Sequence, residues 1–166
     1  LAEKETNDLF SGAQEIGPEP TTVNGALSKG GDLDAFRLTL KAGQTLIASL
    51  DANSAFGSQI DAILQLVDEA GFVIVQSHDD RGLDPRIVYT IAQSGTYYVR
   101  LFAFPSDPNS SIQYYGATSA FYRLTFTTEG YVDHVFPLAV PHSGSEKTVP
   151  QGWSFPAAKC ATFPTD

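Results

Sequence analysis

Four oxygen-bearing side chains crowd the opening LAEKETND: Glu3, Glu5, Asn7 and Asp8. At that density they can complement the positive end of a helix, solvate a lead-in, or offer hard oxygen ligands to a cation. A second acidic pair, Asp32 and Asp34, flanks Leu33 in GGDLDAF, at the mouth of the first clearly alternating run. The two-residue period of an extended chain puts both carboxylates on the same side. If the N-terminal segment lies beside this turn, the six side chains converge on one centre. About six to eight oxygens at flexible geometry are what calcium takes, and such a set has room for one or two ions. The plainer alternative stays open: a solvated lead-in, and aspartates that form a turn after glycine.

Other constellations carry less chemistry. The loop SHDDRGLDPRI offers Asp79, Asp80 and Asp84, with Gly82 for a tight bend. It lacks the ligand order of an EF-hand and its closing glutamate, Asp84 before Pro85 suits a turn, and Arg81 can neutralise the loop. His78, His134 and His142 accompany many serines and aspartates, but G-x-S-x-G, H-E-x-x-H and C-x-x-C are absent from the sequence. Cys160 is the single cysteine, so neither an intrachain disulfide nor a cysteine zinc cage can form. It neighbours Lys159 without an evident base, which is a poor setting for a nucleophile. The chain reads as non-catalytic.

The elements that must position these residues are strands. At 166 residues with 42% hydrophobic and 17% charged side chains, the chain can bury one sizeable core. From about Thr21, short β-type runs alternate with Gly, Pro, Asn and Asp at roughly ten-residue spacing, the texture of a sandwich or barrel. In DAFRLTLK, Phe36, Leu38 and Leu40 alternate with Arg37, Thr39 and Lys41, and Ala42-Gly43 then turns the chain into TLIASLD. IDAILQLVDEAGFVIVQSH reads as a hairpin about Asp68-Glu69-Ala70-Gly71, RIVYTIAQSGTYYVRLFAF as a second about Gln93-Ser94-Gly95, and AFYRLTFTT as a closing strand. That makes roughly eight strands of ordinary length. Beyond Glu129 five prolines, Pro137, Pro141, Pro150, Pro156 and Pro164, break the pattern. The boundary is therefore placed at 128, with 129–166 a Pro-rich linker or the start of another module.

Charge narrows the partners. A net charge of −9 repels phosphate backbones, so nucleic acid is not an expected partner. No apolar run approaches the roughly 20 residues of a membrane span, and the chain reads as soluble and cut from a longer precursor.

The order of motifs, E-x-E-x-N-D, then G-D-x-D-x-F, then SGTYYVRL and a closing YRLTF, resembles the bacterial pre-peptidase C-terminal domain family from Glu3 to about Thr127. Members are jelly-roll-like antiparallel β-sandwiches appended to secreted proteases and other exported proteins, and the related collagen-binding domains of collagenases bind calcium through an N-terminal acidic segment. The resemblance implies calcium as cofactor, with Glu3, Glu5, Asn7, Asp8, Asp32 and Asp34 as ligands. It also implies a secreted or cell-surface location, the rest of a larger exported polypeptide as partner, and a protein or polysaccharide ligand met by exposed aromatics. Tyr97, Tyr98, Tyr114 and Tyr115 are the candidates, with one of each pair expected to face inward. The contrasting expectation is a carbohydrate- or protein-binding adhesion module without metal.

Overall fold

The computed structural model describes residues 1–107, 110, 113–139 and 149–154. His142, Phe155, Cys160 and Phe163 lie outside the described residues, as do three of the five tail prolines, Pro141, Pro156 and Pro164. The chain divides into two compact units, Leu1–Thr127 and Thr128–Asp166.

The first unit is a β-sandwich. Its strands are β1 (Gln14–Ile16), β2 (Thr21–Ala26), β3 (Asp34–Leu40), β4 (Thr45–Asp51), β5 (Ile60–Asp68), β6 (Val73–Ser77), β7 (Arg86–Thr90), β8 (Gly95–Pro105) and β9 (Phe121–Thr127). One sheet runs β1-β3-β8-β5-β6 and the other β2-β9-β4-β7. Pairing is antiparallel throughout both sheets except at the β1–β3 edge, where Gln14 to Ile16 run parallel to Phe36 to Leu38. The sequence reading of an antiparallel β-sandwich is borne out, and the strands β2 to β9 lie in the stretch from about Thr21 that reads as roughly eight short β-type runs.

Alternation decides the faces. In β3, Phe36, Leu38 and Leu40 are buried while Arg37 and Thr39 are exposed. In β9, Tyr122, Leu124 and Phe126 are buried together on one side. The long central strand β8 sends Tyr97, Val99, Leu101 and Ala103 into the core. The two inner faces meet at Phe36 and Phe126, whose ring centroids are 5.3 Å apart, and each such fully buried side chain contributes about 1.5–3 kcal/mol relative to exposure.

The β5–β6 hairpin forms as its sequence demands, with Gly71 at φ 91° and its N–H donating to the Asp68 carbonyl at 3.0 Å. The second expected hairpin does not form. β7 pairs with β4 in one sheet and β8 pairs with β3 and β5 in the other, so the intervening loop crosses the sandwich. The reason is Ile91. It is buried at the end of the core, and its backbone is tied across to Gln44 and Gly43 rather than along a hairpin, with both hydrogen bonds at 2.8 Å. Alternation within a run states which face is apolar and leaves open which sheet the run joins.

A short helix, α1 (Asn53–Phe56), was not foreseen from the sequence. The buried Asp84 carboxylate accepts from the Asn53 and Ser54 backbone N–H groups at 2.7 and 3.0 Å, satisfying donors that the first helical turn leaves unpaired.

The second unit contains an antiparallel pair, β10 (Tyr131–Phe136) with β11 (Val149–Trp153). Pro150 is accommodated in this two-stranded sheet, where each strand has a single hydrogen-bonded neighbour. Tyr131 and Trp153 face each other with ring centroids 6.1 Å apart.

Candidate metal centre

The acidic N-terminus is laid along the open edge of β2. The Leu1 backbone nitrogen donates to the Thr22 carbonyl at 2.6 Å, the Asn24 N–H to the Leu1 carbonyl at 2.9 Å, and the Glu3 N–H to the Asn24 carbonyl at 2.9 Å. An unpaired strand edge offers such donors and acceptors, and the lead-in uses them. Gln14 then brackets the segment, accepting from the Lys4 N–H at 2.9 Å and donating to the Ala2 carbonyl at 3.1 Å. The Ala35 N–H donates to the Asn7 carbonyl at 3.0 Å, which fixes Asn7 beside the start of β3. Two glycines make room. A Cβ on Gly12 would stand 2.7 Å from the Thr6 carbonyl oxygen, and one on Gly25 would stand 2.5 Å from the Tyr122 hydroxyl and 2.7 Å from Glu3 Cβ.

The result is the convergence anticipated from the spacing. Glu3, Glu5 and Asp34 bring one carboxylate oxygen each within 4.8 Å of one another, and so do Glu5, Asp8 and Asp32. Glu5 belongs to both groups. Asn7, Asp32 and Asp34 are completely buried. Oε1 of Glu3, both amide atoms of Asn7, and Oδ1 of Asp8, Asp32 and Asp34 are all buried without a hydrogen-bond partner. Each such atom costs about 1–3 kcal/mol when left unsatisfied, so five side chains of this kind in one place call for an additional partner.

The second oxygen of each buried aspartate is held. Oδ2 of Asp32 accepts from the Ser28 N–H and from the Ser28 hydroxyl at 3.0 Å, and Oδ2 of Asp34 accepts from the Tyr122 hydroxyl. One oxygen is thus anchored and the other left towards the cluster. Burial pushes the Asp34 carboxyl up to about 8; the Tyr122 hydrogen bond opposes this, while the negative charge of Glu3, Asp32 and Glu5 adds to it. Glu3 is raised by burial and then by Glu5 and Asp32. Tyr122 is pushed upward by burial and by Asp34, so its hydroxyl stays a donor. A cation placed among these carboxylates would remove both penalties, burial of like charge and unmet hydrogen bonding. The donor set is oxygen-rich, carboxylate-dominated and free of histidine and thiolate, which suits a hard divalent ion such as calcium.

Sequence reasoning missed Tyr122 and Ser28. Ser28 lies four residues before Asp32, where a serine that caps a turn is a readable signal. Tyr122 reaches Asp34 from 88 residues away, and nothing local announces it.

The other candidate loop is dispersed. Asp80 pairs with Arg86 at 3.3 Å, Asp79 with His78 at 3.0 Å, and Asp84 caps α1. Arg81 turns to Asp51 at 2.7 Å. Among the described residues, no metal-sized group of side chains gathers there. Nor do the described histidines meet a nucleophile: His78 and His134 each contact the neighbouring aspartate, Asp79 and Asp133.

The tyrosine pairs divide between faces. Tyr97 is in the core, with its hydroxyl donating to the Gln93 carbonyl at 2.6 Å, and Tyr115 packs against that core. Tyr98 stacks on Phe10 at 4.5 Å between centroids on the opposite face of the sheet. Tyr114 lies over Phe102 at 4.6 Å and beside Phe104 at 5.7 Å, and is 39% exposed.

Residues 32–103 match the family model of the bacterial pre-peptidase C-terminal domain. A probable subtilase-type serine protease of Deinococcus radiodurans is 31% identical over 98 residues, which cover 58% of this chain and 14% of that protein. The chain therefore spans a small part of the length of that curated relative. Two solved structures share the fold at a TM-score of 0.50, each aligned over 69% of this chain and 94% of the other. One is the pre-peptidase C-terminal domain of a collagenase from Bacillus anthracis, at 19% identity, and the other the periplasmic lysozyme inhibitor PliG of Aeromonas hydrophila, at 15%. No helix among the described residues is long and apolar enough to cross a membrane. The resemblance read from the order of motifs is borne out over residues 32–103, which are similar to the bacterial pre-peptidase C-terminal domain and lie within a β-sandwich fold.

Proposed function

We propose that the first unit is a non-catalytic, calcium-binding accessory domain of a larger exported protein, with a protease as the favoured parent. The observation that carries this reading is the set of buried oxygens and amide atoms of Glu3, Asn7, Asp8, Asp32 and Asp34 that lack hydrogen-bond partners within one cluster. Glu5 belongs to both carboxylate groups, which supports a ligand set of Glu3, Glu5, Asn7, Asp8, Asp32 and Asp34. The similarity to a subtilase-type protease and to a collagenase domain supports a protease as the parent and a secreted or cell-surface setting. Calcium acts here on stability: it holds the lead-in on β2 and β3, which mutual repulsion of the carboxylates would otherwise loosen.

A protein or polysaccharide ligand is the second part of the proposal, favoured by Tyr98 and Tyr114 on the face of β8 that points away from the core. In the contrasting reading, an adhesion module without metal, these aromatics carry the function and the acidic cluster is only a solvated edge.

Calorimetric titration of the chelator-stripped chain with calcium separates the two readings. Saturable uptake, with a melting temperature raised by millimolar calcium, is expected. Stabilisation from binding is about 2.7 kcal/mol at a hundredfold excess over the dissociation constant. An identical melting temperature in chelator and in calcium would overturn the metal reading.

A further inference from the structure

We infer that Lys29 is a tethered counter-ion for the acidic cluster, which neutralises it when no metal is present and must give way when a divalent cation binds. The inference rests on the calcium reading above and concerns how that site is regulated. Lys29 sits on the same turn as Asp32. Its ammonium stands 3.7 Å from Oδ2 of Asp8 and 4.0 Å from Oδ1 of Asp32. The Asp32 oxygen it faces is the buried one that accepts no hydrogen bond, and Asp8 contributes another such oxygen. One positive charge thus reaches the second carboxylate group, Glu5, Asp8 and Asp32, from its solvent side.

Three features fit a displaceable charge rather than a fixed structural pair. The Lys29 side chain is 59% exposed, so most of it is already in water and withdrawing it uncovers little surface. Both distances are long for a charge-assisted hydrogen bond, so the ammonium is held by attraction rather than by a directed contact. The backbone is secured independently of the side chain, since the Asp32 N–H donates to the Lys29 carbonyl at 3.1 Å and the Gly31 N–H to the Tyr114 carbonyl at 2.9 Å. The turn keeps its shape whichever way the side chain points.

A single charge on a flexible stem does little for several carboxylates, whereas a divalent ion meets many oxygens at once. Lys29 therefore lowers the repulsion of the metal-free cluster and, by the same amount, weakens the apparent affinity for the metal. It sets the threshold concentration at which the lead-in closes. By linkage, any stabilisation it gives the metal-free chain is subtracted from the stabilisation that metal can add.

The test compares the parent with Lys29→Gln and Lys29→Arg, each stripped by chelator, then titrated with calcium chloride by calorimetry and melted in chelator. Lys29→Gln, neutral and of similar length, is expected to bind calcium about two- to fivefold more tightly and to melt lower than the parent in chelator. Lys29→Arg keeps the charge and is expected to match the parent in both. Equal affinity for all three, or weaker binding by Lys29→Gln, would overturn the counter-ion role while leaving the calcium site standing. Absence of calcium uptake by all three would overturn the calcium reading, and this inference with it.

Discussion

The buried hydroxyl of Tyr122, near the start of β9, donates to Oδ2 of Asp34 at the start of β3. This bond joins the two sheets at the acidic cluster and turns the other oxygen of Asp34 towards Glu3 and Glu5.

Tyr122→Phe keeps the ring and deletes only that donor. A loss of about 1–3 kcal/mol of stability is expected, because it leaves the buried Asp34 with both oxygens unmet. Calcium affinity should fall as well, since Asp34 is no longer held in one orientation. Denaturant midpoints and calorimetry on the variant provide the check; unchanged values in both would show that the bond is incidental.

Gly25→Ala tests the fit between the lead-in and the sheet. The added methyl would overlap both the Tyr122 hydroxyl and Glu3 Cβ, so both must give way. A destabilisation of about 1–3 kcal/mol and weaker calcium binding are expected. A variant as stable as the parent would mean that the lead-in does not rest on β2.

The metal-free chain should lose stability as pH rises. Asp34 has a folded pKa of about 8 against an ordinary value of 3.8, and Glu3 is raised in the same direction. Between about pH 4 and pH 8 the folded chain therefore retains a proton that the unfolded chain has released, and unfolding is favoured more at each step upward. Calcium binds the deprotonated carboxylates, so its affinity should rise across the same window and its presence should flatten the decline. Denaturant midpoints in chelator at about pH 5 and about pH 8 decide the matter, with a higher midpoint at the alkaline end counting against the assignment.

Asp32→Ala should damage calcium binding more than Asp79→Ala. Asp32 is fully buried and belongs to the cluster with Glu5 and Asp8, whereas Asp79 is an exposed loop residue paired with its neighbour His78. Affinities measured side by side provide the comparison. Equal affinity in Asp32→Ala and the parent would place the site elsewhere.

A chain ending at Thr128 should remain a soluble sandwich close to the parent in stability. The hydrophobic core runs from Ile16 to Phe126 and is supplied by the first unit. Denaturant midpoints of the short and full chains test this; a large loss, or an insoluble product, would assign the segment after 128 to the same folding unit.

Much of this was written locally. The period of two in FRLTL and FYRLTF states which side chains go inward, and burial follows it from Phe36 to Leu40 and from Phe121 to Phe126, because an apolar face must be covered wherever the strand ends up. Gly71 marks its hairpin because a tight turn needs a backbone that tolerates positive φ. The six oxygen-bearing residues of the cluster were visible as two short acidic groups. What the residues could not state alone was how far-separated pieces meet. Ile91 decides that β7 and β8 join different sheets, and it does so by filling the end of a core that exists only once both sheets are packed. Tyr122 completes the Asp34 environment across 88 residues, and Asp84 leaves the oxygen-rich loop to cap a helix that begins at Asn53. The physical reason is the range of the forces: alternation and turn preference act between neighbours along the chain, whereas burial, and the demand that buried polar groups find partners, act between whichever groups the packed sheets bring together.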